Sequence, residues 1–220
     1  MRGALVLSVF ILILSSCAPS RLVRPLDKGQ KSVSANLGGP LIGFKNTVIP
    51  VPMTSVLYAQ GITNKTSAFG SVHATAMLFG IFQTDIGICQ GLYYNDSLRL
   101  GISATPALNM AFDKWEHHFK CWPQLDLNFY WELKPKKSFL YGGMQNWFEL
   151  AKYKAYGEVQ QNHWLVSPQV GFTYCRKKWN YSAEVKYLVP YIENTPNVVD
   201  YKGINGKGAI GVYLNFSRKF

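Results

Sequence analysis

The feature that most constrains this chain is a two-residue rhythm, with apolar side chains on one phase and small uncharged polar ones on the other. Segment 98–110 shows it: Leu98, Leu100, Ile102, Ala104, Pro106, Leu108 and Met110 alternate with Arg99, Gly101, Ser103, Thr105, Ala107 and Asn109. Period two is strand geometry, because successive side chains point to opposite faces of a sheet. The same rhythm is clear in 119–131, 164–175, 179–189 and 210–217, and weaker in 32–38, 55–62, 68–79 and 82–92. Segment 138–149 is strand-like but ambiguous on both faces. No stretch beyond the N-terminal apolar run sustains the 3.6-residue repeat of a helix. Ten strands are therefore predicted.

Their connections alternate in length. Thr63–Thr66, Asn95–Ser97, Lys134–Lys137 and Arg176–Lys178 are short polar turns, whereas 39–54, 110–118, 150–163 and 190–206 are long. The link near 79–82 is the exception, short where a long one is expected. Tight turns at one end and long loops at the other are the pattern of transmembrane barrels. A soluble, lipid-anchored barrel would also have period-two strands, but its polar face would carry many Lys and Glu. Here that face is mostly Gly, Ser, Thr, Asn and Gln, and charged residues make up only 16% of the chain. Such groups suit a narrow packed lumen. Trp131, Trp164, Tyr174 and Trp179 stand near strand ends, as interfacial aromatics do. The expected fold is all-β: a closed antiparallel transmembrane barrel of about ten strands over residues 30–220, with eight strands as the variant.

Both chain ends carry signals. Gly211-Val212-Tyr213-Leu214-Asn215-Phe216 and Phe220 resemble the closing-strand signal of bacterial outer-membrane proteins. Arg218 departs from it, standing where an apolar residue is usual, and is expected to snorkel. At the start, Arg2 precedes an apolar run from Leu5 to Leu14, too short to span a bilayer as a helix, then Ser15-Ser16-Cys17. Leu14 to Cys17 resembles a lipobox; an ordinary signal with an incidental Cys is the other reading. The resemblance implies a signal peptide over 1–16, a lipidated tether over 17–29 and acyl chains on Cys17, with no other cofactor expected. Ala18-Pro19-Ser20-Arg21 lacks the acidic residues of a surface-export tag, so a periplasmic-side anchor is expected. As a whole the mature chain resembles a small outer-membrane β-barrel protein of the Bacteroidota type. That implies the bacterial outer membrane, its lipid, and the barrel-insertion machinery for biogenesis.

The net charge of +11 calls for an anionic neighbour, and the secretion signal makes nucleic acid a poor choice. Lys134, Lys136, Lys137, Arg176, Lys177 and Lys178, with Lys65, Arg218 and Lys219, fall on the short-turn rim. They would attract lipid head groups or an acidic periplasmic partner. His73, Asp85, Arg99, Lys120, Asp126, Glu184 and Lys186 fall on the lumen phase, as a salt-bridged polar plug or, alternatively, a small ion path. His117, His118 and His163 lie in loops without HExxH spacing or a Ser-His-carboxylate set, so neither a metal nor catalysis is expected. Phosphate-binding motifs are missing as well. Cys17 apart, Cys89, Cys121 and Cys175 form an odd set, and no structural disulfide is expected. Leu41, Ile42, Phe44, Ile49 and Val51 make an apolar, Pro-rich loop suited to cap the barrel or to meet a neighbouring envelope protein. The function expected is a non-enzymatic structural or accessory subunit of a cell-envelope complex. A small conducting pore and a lipid-modifying enzyme are the alternatives.

Overall fold

Small polar side chains on one phase can be enclosed only if the sheet curls until its edges meet, and this one does. The computed structural model describes residues 22–135, 137–153, 159–194 and 199–220. Residues 1–16, expected to be a signal peptide, lie outside the described residues, as do Cys17 and Lys136. The strands are β1 (Lys31–Phe44), β2 (Thr47–Pro50), β3 (Met53–Gly61), β4 (Thr66–His73), β5 (Ile81–Asn95), β6 (Leu100–Asp113), β7 (Phe119–Lys134), β8 (Ser138–Phe148), β9 (Trp164–Arg176), β10 (Trp179–Glu193) and β11 (Lys207–Lys219). A short helix, α1 (Ala74–Leu78), joins β4 to β5. Apart from β2, neighbours in sequence are neighbours in the wall, and every pairing is antiparallel. β1 closes on β11 from Ser32–Lys219 to Pro40–Gly211. Since β2 pairs only with the outer end of β1, the closed wall has ten strands.

The distribution of polarity is the reverse of a soluble domain. The most enclosed side chains include Lys186, Gln145, Asn109, Thr105, Asp85 and Asp126. Leu127, Phe129, Phe172, Val185 and Leu214 stand exposed on the outside. Trp131, Tyr174 and Trp179 ring the short-turn end, and Trp164 stands at the other, stacked on Phe148 with centroids 6.5 Å apart. A continuous apolar exterior of this extent is unstable in water and matched to hydrocarbon.

β8 resolves the segment whose faces were ambiguous. Phe139, Tyr141, Gln145 and Trp147 all point inward, so large aromatics share the lumen with small polar groups. Glycine makes room for them. Gly101 pairs with Tyr130 and Gly171 with Tyr141, and a Cβ at either glycine would fall within the tyrosine side chain.

Three expectations need correction. The strand predicted over 68–79 stops at His73, and Ala74–Leu78 is helical. Ala, Met and Leu are strong helix formers, and the turn is tied to β3 by Thr75, whose Oγ1 accepts from Thr54 N (2.8 Å) and donates to Pro52 O (3.0 Å). That helix supplies the length the 79–82 link lacked. The apolar loop 39–54 is instead a hairpin of β1 and β2, held to residues 200–202 by Gly43 N to Asp200 O (2.8 Å) and Lys202 N to Leu41 O (2.8 Å). Finally, Arg99 is not a lumen residue; it lies exposed in the β5–β6 turn with φ 54°.

Gly171→Val is expected to displace the Tyr141 ring and cost about 1–3 kcal/mol, the usual range for overpacking. In gel migration of samples heated beforehand to graded temperatures, the folded band of this variant should convert at a lower temperature than that of wild type. Gly206→Val, where nothing crowds the added atoms but φ is 71°, gives the purely backbone reference.

Candidate functional site: the filled lumen

The lumen is occupied by the chain itself. Residues 22–29, expected as a tether, enter from the short-turn end and run inward as the residue number falls. Gly29 N–H donates to Gly61 O (2.9 Å) and Gly61 N–H to Gln30 O (2.8 Å), fixing the entry at the rim. Leu26 N–H donates to Ser67 Oγ (2.7 Å). Deeper in, Ser103 Oγ donates to Val23 O (2.5 Å) and Thr105 Oγ1 to Leu22 O (3.0 Å). Thr105 is the sixth of the fourteen residues of β6, so Leu22 sits well inside the wall. Arg24 Nη1 meets Glu132 Oε1 at 2.6 Å and its guanidinium lies 5.7 Å from the Phe139 ring centroid.

Apolar contacts complete the seating. Leu26 packs on Leu57, Ala59, Phe69 and Ala107, all lumen-facing, with Leu22 against the same cluster. Val23 packs on Tyr130, Phe139 and Tyr141. Burying a Leu-sized side chain contributes about 1.5–3 kcal/mol. A cavity of about 110 Å³ remains beside the segment, bordered by Ser34, Asn36, Tyr141, Glu184, Tyr213 and Asn215. That is room for a few waters.

Above the plug the lumen holds two ionic clusters. In the first, Asp85 Oδ2 accepts from Ser71 Oγ (2.8 Å) and His73 Nε2 (2.8 Å), while Oδ1 accepts from Asn109 Nδ2. Gln83 Nε2 donates to Asn109 Oδ1 (3.1 Å). In the second, Glu184 accepts from Tyr141 Oη (2.9 Å) and pairs with Lys186 Nζ at 3.5 Å. Lys186, wholly enclosed, also donates to Gln145 Oε1 (3.3 Å) and faces the Tyr213 ring at 5.5 Å. Asp126 is buried between Thr105 and Gln145 in the ladder. Lys120 is half-buried near the long-loop mouth. Thus six of the seven expected lumen residues occupy inner-phase positions, and Arg99 alone does not.

These clusters bind charge in place. Ser71 and His73 both address the Asp85 carboxylate, so the hydroxyl is not turned toward the imidazole, as activation of a nucleophile requires. Ser167, on the inner face, accepts from Val189 N (3.2 Å), and His163 bonds Glu149 O (2.8 Å) outside. His117 lies against Phe112 and His118 beside Glu116, both exposed. No group of three metal-ligating side chains forms among the described residues. Cys89, Cys121 and Cys175 are free thiols, Cys89 fully buried on the lumen side.

The hairpin residues are split. Val51 is buried, Leu41, Ile42 and Ile49 are half-buried, and Phe44 is exposed. On the basic rim, Lys134, Lys137, Arg176, Lys177 and Lys178 are all exposed. What the sequence reading missed is the plug. Its signal lay in two places: Leu22, Val23 and Leu26 within a supposed tether, and Leu57, Ala59, Phe69 and Ala107, which put apolar groups on an otherwise polar inner face.

No protein-family model matches the chain, and no curated protein sequence matches it. Solved structures do. An outer membrane channel from Pseudomonas putida F1 superposes with a TM-score of 0.53 at 7% identity, covering 92% of this chain and 100% of that one. The NanC porin gives 0.48 at 9% identity, over 86% and 100%. The outer membrane protein OprG from Pseudomonas aeruginosa gives 0.30 at 11% identity, over 90% and 99%. At such identities the likeness concerns the fold. The closed ladder makes ten antiparallel strands, and the Pseudomonas putida superposition supports a barrel fold of the outer-membrane kind.

Seating of the plug can be read from Cys89 in a C121S/C175S background. A water-soluble maleimide should label it slowly in the folded protein. Leu26→Glu, which loses its burial against Phe69, should raise that rate about tenfold or more. Equal rates in the two proteins would mean that the segment does not shield the lumen.

Proposed function

We propose that this chain is an outer-membrane barrel stoppered by its own N-terminal segment, serving as a non-enzymatic structural or accessory subunit of a cell-envelope assembly. The observation that carries this reading is the filled lumen: residues 22–29 and two ionic clusters occupy the space a solute would need. What then remains for contact is the outside of the molecule. The apolar wall suits lipid, and the basic short-turn rim faces the periplasm in this orientation. The β1–β2 hairpin presents Phe44 and Val48 to a neighbour. Bacterial origin of the Bacteroidota type and acylation of Cys17 are part of the same proposal, supported by the sequence signals at the two ends. From Leu22 to Cys17 an extended chain reaches about 17 Å, so anchor and plug share one short leash.

A conducting pore is the second reading. It is favoured by the modest polar grip of the plug, one ion pair among the described residues and a few hydrogen bonds beside its apolar contacts, and by the cavity next to it. The similarly folded Pseudomonas putida protein is described as a channel. In this reading displacement of the segment opens the barrel.

Planar-bilayer recordings separate the two. The intact protein is expected to be silent, and a variant lacking residues 22–29 to conduct. Purification in mild detergent should bring down an envelope protein at fixed stoichiometry. Steady conductance by the intact chain, with no partner, would replace the first reading with the second.

A further inference from the structure

The basic rim is not evenly charged, and its geometry is layered. In the ladder, Arg176 of β9 pairs with Trp179 of β10, which pairs with Arg218 of β11. All three share the outward phase, so two guanidinium groups flank one indole along a single row. With strands about 4.8 Å apart, the two arginines stand roughly 10 Å apart. The Arg218 guanidinium lies 5.6 Å from the Trp179 centroid and 5.1 Å from that of Phe220, which holds it against the wall. Two residues further along each strand, toward the middle of the barrel, the outward row is Tyr174, Tyr181 and Phe216, and the next is Phe172, Ala183 and Leu214. Cations, then aromatics, then aliphatic groups follow the order of a bilayer leaflet: phosphate, interface, hydrocarbon. Among the described residues, neither arginine has a carboxylate partner.

We propose that Arg176, Trp179 and Arg218 form a binding site for the phosphate-bearing head group of an anionic phospholipid in the leaflet at the short-turn end. The inference rests on the membrane reading above and adds a ligand to it. An arginine presents a planar fork of donors that matches a phosphate bidentately, and the flanking rings fix that fork. The side chains point sideways into lipid rather than down into the aqueous periplasm, which favours a lipid over an acidic protein as the occupant. The arrangement also accounts for the one departure from the closing-strand pattern: Arg218 is charged at an outward position because a head group meets it there.

Native mass spectrometry of the full chain in detergent, titrated with phosphatidylglycerol or phosphatidylcholine of equal chain length, tests this. Wild type should retain phosphatidylglycerol preferentially. R176Q/R218Q should lower that retention by about an order of magnitude while leaving phosphatidylcholine unchanged. R176K/R218K, which keeps charge but loses the fork, should fall between them. K65Q/R99Q, on the opposite side of the rim, should change it less than about twofold. Equal retention of the two lipids, no effect of R176Q/R218Q, or an equal effect of K65Q/R99Q would overturn the site. Free glycerol phosphate competing at the same concentration would do so too, as would an acidic protein whose stoichiometric capture needs the two arginines while lipid retention does not. If the barrel inserts into neutral vesicles but shows no lipid preference, only this site falls. If it inserts into no vesicle, the membrane reading falls and the site with it.

Discussion

The ladder between β1 and β11 is the constraint on which the rest of the structure depends. Each backbone N–H and C=O in hydrocarbon must find a partner, and an open sheet edge would leave a row of them bare at several kcal/mol apiece. Closure from Ser32–Lys219 to Pro40–Gly211 removes both edges at once. It also divides the side chains into an outside that must tolerate lipid and an inside that must satisfy itself. Asn215 Nδ2 donating to Asn36 Oδ1 (2.6 Å) shows the two aims meeting at the seam: one hydrogen bond joins the first and last strands inside the lumen.

An inside made of polar groups has to be neutralised without bulk water. The lumen does this in patches. Asp85 collects donors from Ser71, His73 and Asn109, and Lys186 sits among Glu184, Gln145 and the Tyr213 ring. Low dielectric makes each such bond stronger and each unmet group more costly. The plug belongs to the same accounting. Leu22 and Val23 lend backbone carbonyls to Thr105 and Ser103, and Arg24 lends a cation to Glu132. The segment is thus a component of the core, and its loss would expose polar wall and apolar cluster alike.

The outside is equally organised. Its aromatic rows mark where the wall meets the interface, and the cationic turns extend past them on the side where both described ends of the barrel lie. The long-loop end differs, with a hairpin, a short helix and histidine-bearing loops of mixed charge. The two ends of the barrel therefore differ in chemistry, and the proposed orientation, with the short-turn rim toward the periplasm, rests on that difference.

Strand existence, phase and the alternation of short and long connections could be read from the chain alone, because strand periodicity is local: it needs only neighbouring residues and a rise of about 3.3 Å each. That is why the inward placement of Asp126, Glu184 and Lys186 agrees with the pattern of β7 and β10. Arg99 broke the pattern because period two carries no mark of where a strand yields to a turn. Helix α1 was hidden because five residues are too few to show a helical repeat. The plug and the stacking of Arg218 on Trp179 were decided by tertiary structure only. Leu26 meets Ser67 across 41 positions, Arg24 meets Glu132 across 108, and Asn36 meets Asn215 across 179. Contacts so distant leave no period in a sequence; they exist only once the wall has closed and enclosed a space for them.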